Sequence, residues 1–129
     1  MKEKRLYCIR GAVCCENTKE SIQENVGFLC SKVFAENKVC AEDIVSVQFS
    51  VTPDLDAMNP ATALRHSDTG VDTSAIPLMC SQEPVVRNML PKVVRLMVTV
   101  YLPEGTAVLP SYLNGAQVLR PDLGRGSSV

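Results

Sequence analysis

A strict alternation of apolar and polar side chains along residues 43–51 constrains the fold more than any other feature of this chain. The apolar members are Val45, Val47, Phe49 and Val51, and the polar members between them are Ser46, Gln48 and Ser50. This period of two is typical of a β-strand whose two faces meet different surroundings. The strand Asp43–Val51 therefore belongs to a sheet with an apolar layer on one face. The Thr52-Pro53-Asp54 segment predicts the turn that ends it.

The N-terminal third of the chain predicts another strand and a long helix. Residues Arg5–Val13 form the first predicted strand, with side chains that alternate between two faces. Asn17 and Glu20 make a capping box, after which apolar residues recur at helical spacing as far as Asn37. These apolar residues are Ile22, Val26, Leu29 and Val33. We expect an amphipathic helix that packs on the sheet.

The remaining predicted elements are short, with one exception. They are, in order, a helix capped by Asn59 that begins at Pro60 and runs through Arg65, a strand at Ile76–Ser81, a helix from Pro84 that ends before Pro91, the long strand Val93–Tyr101, and a strand at Ala116–Arg120. This order predicts an α/β (α+β) fold, a mixed β-sheet backed on one face by one long and two short helices. Because so few helices cannot cover both faces, we expect the other face to pack against copies of the chain.

The length and the charge of the chain exclude several classes of protein. With 129 residues, 46% of them hydrophobic, the chain has the size of one domain, predicted at 1–123, with a flexible C-terminal tail at 124–129. A net charge of −1 without a basic stripe argues against nucleic acid as a partner. The sequence shows neither a signal peptide nor an apolar run of membrane-spanning length, so we expect a cytoplasmic protein with no membrane partner.

The six cysteines are predicted to be free thiols, because nothing in the sequence directs the chain to an oxidising compartment. No pair has C-x-x-C spacing and His66 is the single histidine, so a closed zinc site is not predicted. His66 follows a short helix and is predicted as its C-terminal residue rather than as a general base. The chain has no Gly-rich phosphate loop and no G-x-S-x-G motif, so the mechanisms that depend on these motifs are not predicted.

Arg95 is the most informative polar residue, because it interrupts the apolar run Val93–Val100. A guanidinium buried there would be costly without a partner, so an anionic ligand or a carboxylate must pair with it. The alternative is a position from which the side chain reaches solvent. Arg10 poses the same question between Ile9 and Gly11, at the end of the first strand. Together the two arginines predict a site for a small anion.

Polar groups at the ends of strands supply further candidates. Cys80-Ser81-Gln82-Glu83 places a thiol, a hydroxyl, an amide and a carboxylate at one strand end, although an ordinary polar turn is the alternative. Arg120 also leaves an apolar segment, where a surface salt bridge with Asp122 is the alternative. No histidine lies near Cys80 in sequence to activate it. These residues, with Tyr112, therefore suit binding and charge stabilisation better than covalent catalysis.

Several of these segments recur in one family in the same order. They are Ile9-Arg10-Gly11-Ala12, Thr52-Pro53-Asp54-Leu55, Pro60-Ala61 with Arg65, Pro77 through Cys80 to Gln82-Glu83, Arg95 with Met97, Thr99 and Val100, and Val118-Leu119-Arg120-Pro121-Asp122-Leu123. By their order and spacing, the chain resembles the AroH-class chorismate mutases, which are monofunctional enzymes with a mixed α/β trimeric fold. The sequence departs from the best-known members at Asn59 and Thr62, where they carry an aromatic residue and a lysine.

The resemblance implies conversion of chorismate to prephenate, an intramolecular Claisen rearrangement on the route to phenylalanine and tyrosine, without a cofactor. It also implies a homotrimeric pseudo-barrel with substrate sites between neighbouring subunits. In such a site Arg95 stabilises negative charge on the ether oxygen, and Glu83 and Cys80 contact the substrate hydroxyl. Arg10 and Tyr112 match carboxylate-binding positions. The positions that match supporting residues near the site are Arg65, Leu119 and Arg120.

Two other functions are compatible with the same arginines. One is an imine deaminase of the RidA type, whose trimer also uses an arginine at a subunit cleft. The other is a non-catalytic trimer that binds a small carboxylate. Glu83 argues against a pure receptor, because a carboxylate repels a bound dianion and so weakens its binding.

Overall fold

Five strands and two α-helices make up the fold of residues 3–123, the part of the chain that the computed structural model describes. The strands are β1 (Lys4–Cys14), β2 (Ile44–Val51), β3 (Leu78–Gln82), β4 (Val93–Pro103) and β5 (Ser111–Leu113). The helices are α1 (Lys19–Glu36) and α2 (Pro60–Arg65), and 3₁₀ turns lie at Ala41–Asp43, Ala116–Leu119 and Pro121–Leu123. The tail predicted at 124–129 lies outside the described residues.

The strands form one mixed sheet in the order β3-β2-β4-β1-β5. β4 lies at its centre and pairs antiparallel with both β1 and β2. β3 and β5 add at the edges as parallel partners of β2 and β1. The predicted mixed sheet is confirmed, and the strand that carries Arg95 lies between two neighbours rather than at an edge.

Helix α1 covers one face of this sheet. Its buried side chains are Ile22, Val26, Leu29, Cys30, Val33 and Phe34. They share one apolar core with sheet residues such as Ile9 and Phe49. Gly11 permits the close approach, since a Cβ there would lie 3.1 Å from Leu29 Cδ1 and 3.2 Å from the carbonyl oxygen of Ser111. The predicted amphipathic helix is therefore confirmed, with its apolar side on the sheet.

A β-bulge at the start of β2 breaks the alternation that the sequence predicts. The pairing with β4 shifts register between Ile44 and Ser46. Ile44 is consequently buried, whereas Val45 is 43% exposed. Beyond the bulge, Val47 and Phe49 are buried as the alternation predicts. An extra residue in one strand changes the direction in which the neighbouring side chains point. Val45 therefore lies outside the core in which the alternation placed it.

Thr18, rather than the predicted Asn17, caps α1. The Thr18 hydroxyl oxygen accepts a hydrogen bond from the backbone N–H of Ser21 at 3.0 Å. Asn17 Oδ1 instead accepts hydrogen bonds from the backbone N–H groups of Asp56 and Ala57. Both residue types make good caps, so sequence spacing could not choose between them. The contact of Asn17 with the loop after β2 decided the matter.

The short helix predicted from Pro84 does not form. A turn stands in its place, closed by a hydrogen bond from the Met89 N–H to the Val86 carbonyl at 3.1 Å. Asn88 has a left-handed φ of 66°, a conformation that interrupts a right-handed helix. Over residues 3–123 the helical layer therefore contains one long and one short α-helix, not one long and two short ones.

The strand predicted at Ile76–Ser81 is shifted by the proline within it. Ile76 closes a turn through its N–H onto the Thr73 carbonyl at 3.0 Å. Pro77 has no N–H to donate to a sheet, and its carbonyl accepts a hydrogen bond from Val47 at 3.0 Å. β3 therefore begins at Leu78 and extends through Gln82.

The last strand also lies earlier than predicted. Ser111–Leu113 pairs with β1, whereas the predicted strand Ala116–Arg120 is mainly a 3₁₀ turn. Asn114 and Gly115, with φ of 53° and 102°, both adopt left-handed conformations immediately after β5. Two such residues in succession turn the chain away from the sheet, so the apolar residues that follow cannot extend it.

Candidate active site

An open cleft of about 310 Å³ lies on the face of the sheet that α1 leaves uncovered. The floor of the cleft consists of two rows of side chains, each formed by residues that are paired across neighbouring strands. One row is Ser81, Ser50, Arg95, Ala12 and Tyr112, and the next row is Met79, Gln48, Met97 and Arg10. All five strands thus contribute to one surface. Three of the predicted site residues line this cleft, namely Arg10, Arg95 and Tyr112.

Arg95 forms an ion pair with Glu83, another of the predicted residues. The Arg95 Nε–H donates to Glu83 Oε2 at 2.9 Å. The same oxygen accepts a second hydrogen bond from the Ser50 hydroxyl at 2.8 Å. The backbone N–H of Glu83 donates to the Val51 carbonyl at 2.8 Å, which continues the pairing of β3 with β2 by one residue. The carboxylate is thereby fixed beside the guanidinium at the end of β3.

The chain by itself does not bury the Arg95 guanidinium. Its side chain is 44% exposed, whereas the Glu83 side chain is 17% exposed. Val94 and Leu96 on either side are buried against the helical layer. Both alternatives for Arg95 therefore hold in part for a single chain. The guanidinium pairs with a carboxylate and also reaches solvent, because alternate residues of β4 point to opposite faces and Arg95 points to the uncovered one.

Arg10 and Tyr112 complete the cleft. Among residues 3–123, Arg10 makes no hydrogen bond or ion pair, and its exposed side chain lines the cleft. Tyr112 is 4% exposed and packs with Ala12 and Ala116. Glu83 offsets the charge of one guanidinium, so the charged groups around the cleft leave one positive charge in excess. Such a surface favours an anionic molecule.

Cys80 and Arg65 do not line the cleft of their own chain. Cys80 packs against the core beneath the sheet, and this burial raises the pKa of its thiol, which is therefore protonated at neutral pH. The Arg65 guanidinium donates hydrogen bonds to the carbonyl oxygens of Thr73 and Ile76. Arg65 thus fastens the loop before β3 to the end of α2.

Leu119 and Arg120 lie just beyond the cleft. Leu119 packs on the small apolar cluster that contains Tyr112. Arg120 forms a two-pronged ion pair with Asp122, at 3.0 Å from Nε and 2.6 Å from a terminal nitrogen. The hydrogen bond from Arg120 holds the pKa of Asp122 below its usual value, and the charge of Arg10 acts in the same direction. The salt bridge that was the alternative for Arg120 is therefore present, and it lies within the electrostatic reach of Arg10.

Most other residues of the cleft were not predicted as site residues, among them Gln48, Ser50, Met79 and Met97. The polar members of the β2 alternation were the available signal, since Gln48 and Ser50 share the face opposite the core. Which β2 face would carry a site depended on the pairing with β4. That pairing is not visible in the sequence.

The remaining structural findings concern thiols, metals and membranes. All six cysteines are free, as predicted. Within residues 3–123, no three His, Cys, Asp or Glu side chains come together in a way that could hold a metal ion. Neither helix in that range has the length and apolar character needed to cross a bilayer. Asn59 accepts a hydrogen bond from the Ala61 N–H and caps α2 as predicted, and His66 ends that helix.

The fold and the cleft define a small α+β protein that presents two arginines and a carboxylate on the open face of a mixed sheet. Residues 6–123 match the family model for chorismate mutase type I. The chain is 38% identical over 118 residues to chorismate mutase AroH of Bacillus subtilis (strain 168), covering 89% of this chain and 90% of that protein. The chain belongs to the type I chorismate mutase family.

Two further relatives agree with this assignment. Chorismate mutase AroH of Thermus thermophilus is 34% identical over 119 residues, which cover 89% of this chain and 93% of that protein. The solved structure of a chorismate mutase from Clostridium thermocellum superposes with a TM-score of 0.77 at 34% sequence identity. That match covers 87% of this chain and 98% of the solved one.

Proposed function

We propose that this protein is a chorismate mutase, an isomerase that converts chorismate to prephenate in the biosynthesis of phenylalanine and tyrosine. The observation that carries the proposal is the cleft in which Arg95, fixed by Glu83, lies on the same surface as Arg10. Family membership favours this function over an imine deaminase of the RidA type or a receptor for small carboxylates.

The chemistry of the rearrangement matches the charges of the cleft. The substrate is a dianion, and an ether C–O bond breaks while a C–C bond forms in one compact conformer. Negative charge grows on the ether oxygen in the transition state, so a fixed cation at that oxygen lowers the barrier. Arg95 donates to Glu83 from Nε, which leaves its two terminal nitrogens without a hydrogen-bond partner among residues 3–123. We assign these nitrogens to the ether oxygen.

The other residues restrain the substrate. The Arg10 guanidinium makes no hydrogen bond or ion pair within residues 3–123 and, with Tyr112 in the same cleft, binds a substrate carboxylate. Glu83 is assigned to the substrate hydroxyl. Cys80, which does not line the cleft of its own chain, is assigned to the same hydroxyl in a site completed between subunits. Because the Cys80 thiol stays protonated, it takes part as a neutral contact and not as a nucleophile. The residues assigned supporting roles at the rim are Arg65, Leu119 and Arg120.

The direct test is an assay of the purified protein with chorismate. We expect the ultraviolet absorbance of chorismate to fall and prephenate to accumulate, in buffer that contains EDTA and no nucleotide. The same rate in the presence of added metal ions would fit a reaction that needs only positioning and charge stabilisation. Loss of chorismate no faster than in buffer alone would reject the proposed function.

We further propose that the protein is a cytoplasmic homotrimer whose copies cover the open sheet face and complete the site between subunits. That face carries large apolar side chains that no other part of residues 3–123 covers, among them Leu6, Met79, Met97 and Tyr101. Contiguous exposed apolar surface of this kind is typical of subunit interfaces. A covering copy would also exclude water from Arg95 and strengthen its electrostatic effect.

Light scattering on the purified protein is expected to give three times the chain mass of 14.0 kDa. Tyr101→Glu should shift the protein towards monomer, because it places a charge on the face that we expect to be buried. Phe28→Glu is the matched control, since Phe28 is 59% exposed on α1 and not on the sheet. A monomeric wild-type protein, or equal effects of the two substitutions, would contradict the trimer. Recovery in the soluble fraction of fractionated cells tests the location.

A further inference from the structure

Ser50 occupies a central place in the cleft. In the sheet it lies between Ser81 of β3 and Arg95 of β4, its direct partners in the strand pairing. Its side chain is half-buried, and its hydroxyl donates to Glu83 Oε2 at 2.8 Å. This contact spans 33 positions in the sequence and joins β2 to the end of β3. Ser50 is thus placed to control the Glu83 carboxylate from the neighbouring strand.

The two hydrogen bonds on Glu83 converge on a single oxygen. Oε2 accepts from both the Ser50 hydroxyl and the Arg95 Nε–H, while Oε1 has no described partner. Two donors at one oxygen fix the rotation of the carboxylate more firmly than one donor can. They also leave the second oxygen available for a polar group of a ligand. The Arg95 side chain is oriented in turn, because its Nε is held by the same oxygen.

We propose that Ser50 is a positioning residue for the rearrangement, which acts through Glu83 to set both the carboxylate and the Arg95 guanidinium. The inference rests on the proposed function. Ser50 need not touch the reacting atoms. Without its hydroxyl, the carboxylate can rotate about its last side-chain bonds and the guanidinium can follow, so the cation spends less time at the ether oxygen. A misplacement of this kind affects the transition state more than the bound substrate.

Ser50→Ala is therefore expected to lower kcat about 10- to 100-fold, the range expected for one hydrogen bond to a charged group, with KM changed less than about threefold. Ser50→Thr retains the hydroxyl and suits a strand, so it should restore most of kcat. Ser46→Ala is the matched control, because it removes a hydroxyl from the same strand outside the cleft. It should leave kcat at the wild-type value. Equal kcat in Ser50→Ala and wild type, or failure of threonine to restore it, would overturn the proposal.

A double-mutant cycle with Glu83→Ala separates positioning from a general structural effect. If Ser50 acts through the carboxylate, Ser50→Ala should cost nothing further in a protein that already lacks Glu83. Full additivity of the two losses would contradict this coupling. The wild-type rate in the same assay keeps two failures apart. An inactive wild type rejects the proposed function, whereas an active wild type with an unaffected Ser50→Ala variant rejects only the role of Ser50.

Discussion

Arg95→Ala is expected to lower kcat for chorismate at least 100-fold, equivalent to about 3 kcal/mol of lost transition-state stabilisation. The proposal assigns the ether oxygen to the terminal nitrogens of Arg95, which have no hydrogen-bond partner within residues 3–123, while Nε donates to Glu83. Because charge grows on that oxygen only as the bond breaks, the loss should fall on kcat more than on KM. Steady-state kinetics followed by ultraviolet absorbance measures both constants. A variant within a few-fold of wild-type kcat would contradict the assignment.

The geometry of the pair sharpens the expectation for lysine at the same position. Arg95→Lys should recover little activity, because one ammonium cannot donate to Glu83 Oε2 and reach the ether oxygen in the fixed fork that a guanidinium provides.

Arg10→Ala should affect the kinetic constants differently from Arg95→Ala. The Arg10 guanidinium is assigned to a substrate carboxylate, which is present in ground state and transition state alike, so its loss should raise KM more than it lowers kcat. The same pattern in both arginine variants would contradict this division of roles.

Glu83→Ala is expected to lower kcat about 100-fold while leaving substrate affinity unchanged or increased. Removal of the carboxylate frees Arg95 from its partner and also removes a negative charge from a site for a dianion. A receptor for small carboxylates would therefore bind better without Glu83. A mutase loses the group that fixes its catalytic cation, and its rate falls even though binding does not. The measured kcat and the dissociation constant of an unreactive dianionic analogue distinguish the two functions.

Two further variants serve as comparisons for Glu83→Ala. Glu83→Gln keeps the shape of the side chain and an oxygen that can accept from Arg95, so it should retain more activity than Glu83→Ala. Glu24→Ala removes an exposed carboxylate from α1 and serves as the control for a change in net charge. Wild-type kcat in Glu83→Ala would remove Glu83 from the mechanism and would weaken the case against a receptor.

Periodic patterns predicted the parts of the fold that depend on neighbours in the chain. The spacing from Ile22 to Val33 gave α1 correctly, and the alternation in β2 gave a strand with one buried face. The predicted ends of helices and strands were less accurate where a single contact decided them. Thr18 replaced Asn17 as the cap because Asn17 had a tertiary partner, and β3 started after Pro77 because proline cannot donate to the sheet. The helix predicted after Pro84 failed for a similarly local reason, the left-handed Asn88.

The candidate site shows the same division between local and long-range information. Arg95 is a charge within an apolar run, and the sequence correctly predicted an anionic partner for it. Only the sheet order revealed that this partner is Glu83, because the two residues meet across β2, whose Ser50 bonds to the same oxygen. The sequence left open whether this guanidinium is enclosed or reaches solvent, and the structure decides it, because β4 points Arg95 to the open face.

By itself, then, the sequence determined the long helix α1, the main strands β1, β2 and β4, and which charged groups need an anionic partner. These follow from periodicity and from the cost of burying charge, which are properties of a residue and its near neighbours. The tertiary structure alone decided which face of the sheet stays open and which residues meet there. The physical reason is that strand register is fixed by pairing between distant segments, and one step in register moves every side chain to the opposite face.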